Sequence, residues 1–123
     1  MIKSTLSDKS KNIINDKTIN NVKVRFQKVI DLPPKDLRKL VDNGKKELTE
    51  GIIVIFATKD EKIGLAIGVT ENLIKKYDAV KLVKIGSEII GGKGGGGRPD
   101  FAQAGGTDKS KVDTAFDKIK SLI

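Results

Sequence analysis

The chain has 123 residues and a mass of 13.3 kDa, enough for one compact domain that buries roughly two-thirds of its unfolded surface. It contains neither Cys nor His, which excludes disulfide scaffolds, thiolate nucleophiles, Cys/His zinc sites and every mechanism that needs imidazole as a base. The net charge of +8 favours polyanionic partners, nucleic acid before anionic membrane, although 21 of the 24 cations are Lys in a chain that also carries 16 Ile, a pairing that base composition alone produces.

No stretch approaches the ~18 consecutive apolar residues of a membrane span. The first residues, MIKSTLSDKSKNIIND, lack the apolar core of a signal peptide. A cytoplasmic location and no membrane partner are therefore expected. Residues 1–20 are rich in Ser, Lys, Asn and Asp and read as a mobile tail, or as the end of a preceding segment. Residues 21–123 read as a single globular domain.

Val22, Val24 and Phe26 alternate with Lys23, Arg25 and Gln27, the period of a half-buried strand. Pro33 and Pro34 break the chain before a helix whose apolar face is Leu37, Leu40, Val41, Gly44 and Leu48. Gly44 on that face permits close approach to a sheet. Residues 52–57 are apolar on both faces, as in a central strand, and residues 63–69 return as its hairpin partner. Gly64 and Gly68 in the returning strand mark close backbone contact. Thr70 is placed to cap a helix bearing Leu73, Ile74 and Tyr77, and a second helical stretch runs from Ala79 to about Ile90, stopped by Gly91 and Gly92. Ser110-Lys111-Val112-Asp113 resembles a capping box opening a last helix with Val112, Ala115, Phe116, Ile119, Leu122 and Ile123 on one face. The predicted order is β-α-β-β-α-loop-α: an α/β (α+β) fold with a small mixed sheet flanked by helices.

Six of the 13 glycines lie in Gly91-Gly92-Lys93-Gly94-Gly95-Gly96-Gly97, followed by Arg98-Pro99-Asp100-Phe101-Ala102-Gln103-Ala104-Gly105-Gly106. Glycine loses the most backbone freedom on folding, and a plain connector has no need of so many. Such a run brings backbone N–H groups close to an anion, and here Lys93 and Arg98 bracket it. A flexible linker is the competing explanation, but it does not account for the Arg-Pro-Asp and Ala-Gln-Ala punctuation. A dinucleotide fingerprint at Gly92, Gly94 and Gly97 is nearly automatic in a glycine run and follows a helix, not a strand. A P-loop fails because Ser87 and Gly94 stand where Gly and a hydroxyl belong.

The run Gly91-Gly92-Lys93-Gly94 with Arg98-Pro99-Asp100-Phe101-Ala102-Gln103-Ala104-Gly105-Gly106 closely resembles the signature of the C-terminal domain of alanyl-tRNA synthetase, a DHHA1-type module. Leu37-Arg38, Leu40, Asp42, the hairpin beginning Gly51-Ile52-Ile53-Val54, and Lys81-Leu82-Val83-Lys84 sit at the spacings of that domain. The resemblance covers residues 21–123. Two departures stand out: four glycines precede Arg98 where the pattern has three, and Phe101 stands where it has Met. The resemblance implies a module that binds the outer corner of tRNA (alanine tRNA above all) and links aminoacylation with editing. Its other partners are the remaining domains of the synthetase, and a helical neighbour brings homodimerisation. This chain needs no cofactor of its own; ATP, magnesium and zinc would serve other domains of the parent enzyme. The same resemblance extends to DHH-type phosphoesterases, whose substrate-binding module is the alternative function. A dimerisation or scaffold domain is a third.

The candidate RNA-binding residues are Lys93, Gly94, Gly95, Gly96, Gly97 and Arg98, followed by Lys109 and Lys111, which flank the N-terminus of the last helix. Arg25 and Lys23 are candidates on the first strand, and Phe101 is expected to pack more than to stack on a base. Lys75, Lys76, Lys81 and Lys84 read as a solvated face. No pair of carboxylates forms a catalytic arrangement, so no catalytic residue and no metal ligand is expected. Whether the chain is a fragment or free-standing stays open at this point.

Overall fold

The structure, a computed structural model, describes residues 12–30, 36–59, 62–92 and 95–123. Six strands form one mixed sheet in the order β1-β2-β3-β4-β6-β5. They are β1 (Asn12–Ile19), β2 (Val22–Ile30), β3 (Ile52–Lys59), β4 (Lys62–Val69), β5 (Gly96–Arg98) and β6 (Phe101–Gly106). Helix α1 (Leu37–Leu48) crosses from β2 to β3 and makes them parallel, whereas the other described pairs are antiparallel. Helices α2 (Ala79–Ile89) and α3 (Val112–Ser121) complete the fold.

The strand pleat sorts the apolar side chains onto two faces. Val24, Phe26, Val54, Phe56, Leu65 and Ile67 pack under α2 and α3; Ile53, Ile55, Ala57 and Ala66 pack under α1. β3 is thus buried on both sides, which is why its sequence is an unbroken apolar run. Each fully buried side chain of this kind contributes roughly 1.5–3 kcal/mol. Phe116 of α3 closes the first layer edge-on, with ring centroids 5.3 Å from Phe26 and 4.6 Å from Phe56. Close approach on the other face rests on missing side chains. A Cβ on Gly44 of α1 would fall 2.8 Å from Ile53 Cγ1, and one on Gly68 of β4 would strike Val41 and sit 3.0 Å from Lys45 Cε.

Several elements differ from the sequence reading. Within the stretch read as a tail, β1 is an edge strand paired to β2 along its whole length. The hairpin turns at Asn20 and Asn21, both left-handed (φ 50° and 67°), the backbone that a two-residue turn between twisted strands needs. Arg25 secures the pair by donating to both carboxylate oxygens of Asp16 and to Glu47 of α1. Thr70 caps no helix. Its hydroxyl accepts from the Gly51 N–H and donates to Asn72, and only one 3-10 turn follows at Glu71–Leu73. The expected capping box at Ser110 does not form either. Asp108 accepts from the Ser110 N–H at the start of a 3-10 turn leading into α3, while Asp113 pairs with Lys28 at 2.8 Å. Leu122, expected on the packed face of the last helix, is exposed. Pro33, Pro34 and the Asp60-Glu61 turn lie outside the described residues.

Candidate nucleic-acid interface

The segment read as a glycine loop is a helix cap followed by a tight hairpin. Gly91, at φ +83°, ends α2: its N–H donates to Glu88 O and the Gly92 N–H donates to Ser87 O, the paired bonds of a Schellman cap. The chain then runs back along β6 so closely that side chains would not fit. A Cβ on Gly92 would lie 2.9 Å from the Gly105 carbonyl carbon, one on Gly95 2.7 Å from Ala104 Cα, and one on Gly97 2.7 Å from Ala102 Cα. Gly97 also holds φ +152°. Four of the glycines, Gly91, Gly92, Gly95 and Gly97, therefore serve the fold. Gly96 differs: among the described residues, a Cβ there would meet no atom within 4 Å. Lys93 and Gly94 lie outside the described residues.

The Arg-Pro-Asp motif explains itself in the turn between β5 and β6. The Pro99 carbonyl accepts from the Ala79 N–H at the start of α2 (3.0 Å). The Asp100 carbonyl accepts from the Val69 N–H of β4 (2.9 Å) and from Lys45 Nζ of α1 (2.8 Å). Three elements thereby hold the turn in which Asp100 sits. Its carboxylate contributes less, 3.9 Å from Lys45 Nζ. Arg98 and Phe101 flank the turn as a cross-strand pair, so both side chains project from the same face. Phe101 packs against the α1 layer, and Arg38 of α1 lies over its ring, with Cζ 5.5 Å from the centroid.

The three arginines meet different fates. The Arg25 side chain, 11% exposed, is sequestered by β1 and α1, and its hydrogen bond to Asp16, with Glu47 adding and partial burial opposing, lifts its pKa beyond its already high range. That removes Arg25 from the exposed cations, contrary to the sequence expectation. Among the described residues, neither Arg38 nor Arg98 has a carboxylate within ion-pair distance, and both are exposed. Lys109 and Lys111 are exposed on the turn before α3. Lys109 lines a cleft with Lys28, Ile30 and Thr58 at the C-terminal ends of β2 and β3. Asp100 lines a different cleft with Lys45, Val69 and Thr70. β6 joins the two regions, and its six residues separate them by roughly 17 Å. The structure therefore brings Arg98 together with Gly96 and Gly97 but leaves Lys109 and Lys111 at the other end of the sheet. Sequence reasoning missed Arg38 and Lys45, which reach the hairpin only through the packing of α1.

The DHHA1 domain family model matches residues 21–123. An alanine–tRNA ligase of Parvibaculum lavamentivorans is 48% identical over 103 residues, 83% of this chain, and one of Paramagnetospirillum magneticum is 45% identical over 107 residues, 87% of this chain. The matched stretch is 12% of the length of each of these relatives. Among solved structures, the C-Ala domain of Aquifex aeolicus alanyl-tRNA synthetase superposes with a TM-score of 0.82 at 26% identity, covering 88% of this chain and 96% of that domain. A DHH-domain protein described as a member of the s1p family of ribosomal proteins shares the fold (TM-score 0.57, 20% identity, 85% of this chain and 27% of that one). The chain belongs to the DHHA1 domain family, in the form found at the C-terminus of alanyl-tRNA synthetases.

Proposed function

We propose that the chain is the tRNA-binding module of an alanyl-tRNA synthetase in the cytoplasm. It grips the outer corner of tRNA through phosphates and so holds one tRNA for the aminoacylation and editing centres of the parent enzyme. Alanine tRNA and the remaining synthetase domains are its partners, and ATP, magnesium and zinc belong to those domains. The reading rests on the hairpin tip. On β5, an exposed Gly96 with open space at its Cβ position and an exposed Arg98 without a carboxylate partner among the described residues lead into a turn anchored by three other elements. Phosphate oxygens accept well from guanidinium and backbone N–H groups, and a turn already fixed loses little freedom on binding. Gly95 and Gly97 let β5 lie against β6. Lys93 and Gly94 extend the grip, and Lys109 and Lys111 form a second anchor for a polyanion long enough to reach the far end of the sheet.

Filter binding with alanine tRNA, an unrelated tRNA and a linear RNA of equal length tests the reading. Recognition of a folded corner through phosphates predicts similar affinity for the two tRNAs and weaker affinity for the linear RNA. Equal affinity for all three would leave only a basic surface and would contradict it.

A further inference from the structure

We propose that the RNA strand crosses the α1 side of the β5–β6 hairpin, where Arg38, positioned over the Phe101 ring, binds a phosphate beside the one bound by Arg98. The proposal rests on the tRNA-binding reading above and adds the path of the strand and a residue that binds it.

The layering of the sheet leaves one place open. On one face α2 and α3 cover the strands, and Ala102 and Ala104 of β6 point into that layer. On the other face α1 lies over β3 and β4, against Ile53 and Gly68. β6 and β5 lie beyond it, so among the described residues no helix lies over Gly96, Arg98 and Gln103 on this side. The result is a strip of sheet with an open backbone at Gly96, bordered by Arg98 and by Arg38 on Phe101.

The chemistry of the stack assigns the ligand. A guanidinium carries its five N–H donors in its plane and is attracted to an aromatic ring through its face. Arg38 Cζ stands 5.5 Å from the Phe101 centroid, and a contact made through the guanidinium face leaves its N–H edge to fork onto a phosphate. Lysine has no such face. Arg38 and Arg98 carry two positive charges onto one strip with no carboxylate partner among the described residues, and a polyanion with regularly spaced charges is the complementary occupant. The opposite route, over α2, offers Lys81 and Lys84, both exposed, with Glu88 one turn on.

Affinity for alanine tRNA at one fixed salt concentration separates the routes. The variants are Arg98→Ala, Arg38→Ala, Arg38→Lys, Phe101→Met and the double variant Lys81→Ala/Lys84→Ala, each checked for an unchanged thermal midpoint. The proposal predicts about tenfold weaker binding for Arg38→Ala, comparable to Arg98→Ala, as expected for one charged hydrogen-bonded contact. Arg38→Lys and Phe101→Met fall between parent and Arg38→Ala, because charge or packing survives while the stack is lost. The Lys81/Lys84 double variant loses less than Arg38→Ala despite removing twice the charge. If Arg98→Ala weakens binding while Arg38→Ala or Arg38→Lys matches the parent, the path is wrong and the tRNA reading stands. A double variant weaker than Arg38→Ala overturns the path as well. A parent protein that prefers no tRNA over linear RNA overturns the reading beneath it.

Discussion

Gly96 and Gly97 are neighbours in sequence and opposites in structure, and substituting each in turn separates folding from binding. Alanine at Gly97 puts a Cβ 2.7 Å from Ala102 Cα and holds a side chain at φ +152°. A backbone conformation of that kind costs a non-glycine residue about 1–3 kcal/mol, and the clash demands a further shift of β5 away from β6. A loss of about 3 kcal/mol follows, and at about 4 °C per kcal/mol for a chain of this size the thermal midpoint falls by about 12 °C. A Cβ at Gly96 meets nothing within 4 Å among the described residues, and removing a glycine restricts the unfolded chain, so on substitution by alanine or valine stability is expected to stay level or rise by about 0.4–1 kcal/mol. Binding is expected to move in the other direction. If RNA approaches the Gly96 backbone, Gly96→Val weakens tRNA binding in a protein that melts no earlier than the parent. Calorimetric melting with filter binding on the same preparations reads both quantities. A Gly97→Ala protein that melts with the parent would refute the packing argument, and a Gly96→Val protein that binds like the parent would refute close backbone approach. Gly95→Val cannot decide the matter, since its side chain meets Ala104 before any ligand.

Two further outcomes follow from the anchoring contacts. Lys45 donates to the Asp100 carbonyl and stands 3.9 Å from its carboxylate, so Lys45→Met is expected to destabilise by about 1 kcal/mol and Asp100→Ala by less, as read from urea unfolding; the reverse order would show that the carboxylate, not the carbonyl, holds the turn. Arg25→Ala, which strips β1 of its tie to α1, is expected to cost about 1 kcal/mol once the exposure of its partners is discounted and to leave tRNA affinity unchanged. Because its partners raise an already high pKa, the Arg25 guanidinium stays charged in both folded and unfolded states near neutrality. The difference between Arg25→Ala and parent is therefore flat from about pH 6 to 9, and narrows in strong alkali or in acid strong enough to protonate the partner carboxylates; a difference that varied across that window would point to another group.

The elements legible from sequence are those whose period comes from burial. Val22, Val24 and Phe26 alternate because β2 has one face in the core, residues 52–57 are uniformly apolar because β3 has two, and Gly44 lies on the packed stripe of α1 because Ile53 presses against it. β1 was not legible because an exposed edge strand has no such period. Its place is set by the Arg25–Asp16 bridge and by the left-handed Asn20-Asn21 turn, and that asparagine pair was the one local signal available. The β5–β6 hairpin hid inside a glycine run because glycine has poor strand propensity, and here the strand is imposed by close contact with Ala102 and Ala104. The motif marked this stretch as a special backbone, as the close approach of β5 to β6 shows. It did not reveal that Gly92, Gly95 and Gly97 serve packing, or that Arg38 and Lys45, far earlier in the chain, reach the hairpin through the tertiary placement of α1.

The central claim is that Arg98, on a turn fixed by α1, β4 and α2, neutralises a tRNA phosphate. A salt titration of tRNA binding by the parent and by Arg98→Ala measures this directly, since each phosphate contact contributes about 0.7–0.9 to the slope of log K against log salt. The account predicts that the slope for Arg98→Ala is shallower by about 1 while the protein melts as the parent does. An unchanged slope, whatever the change in affinity at one salt concentration, would contradict it.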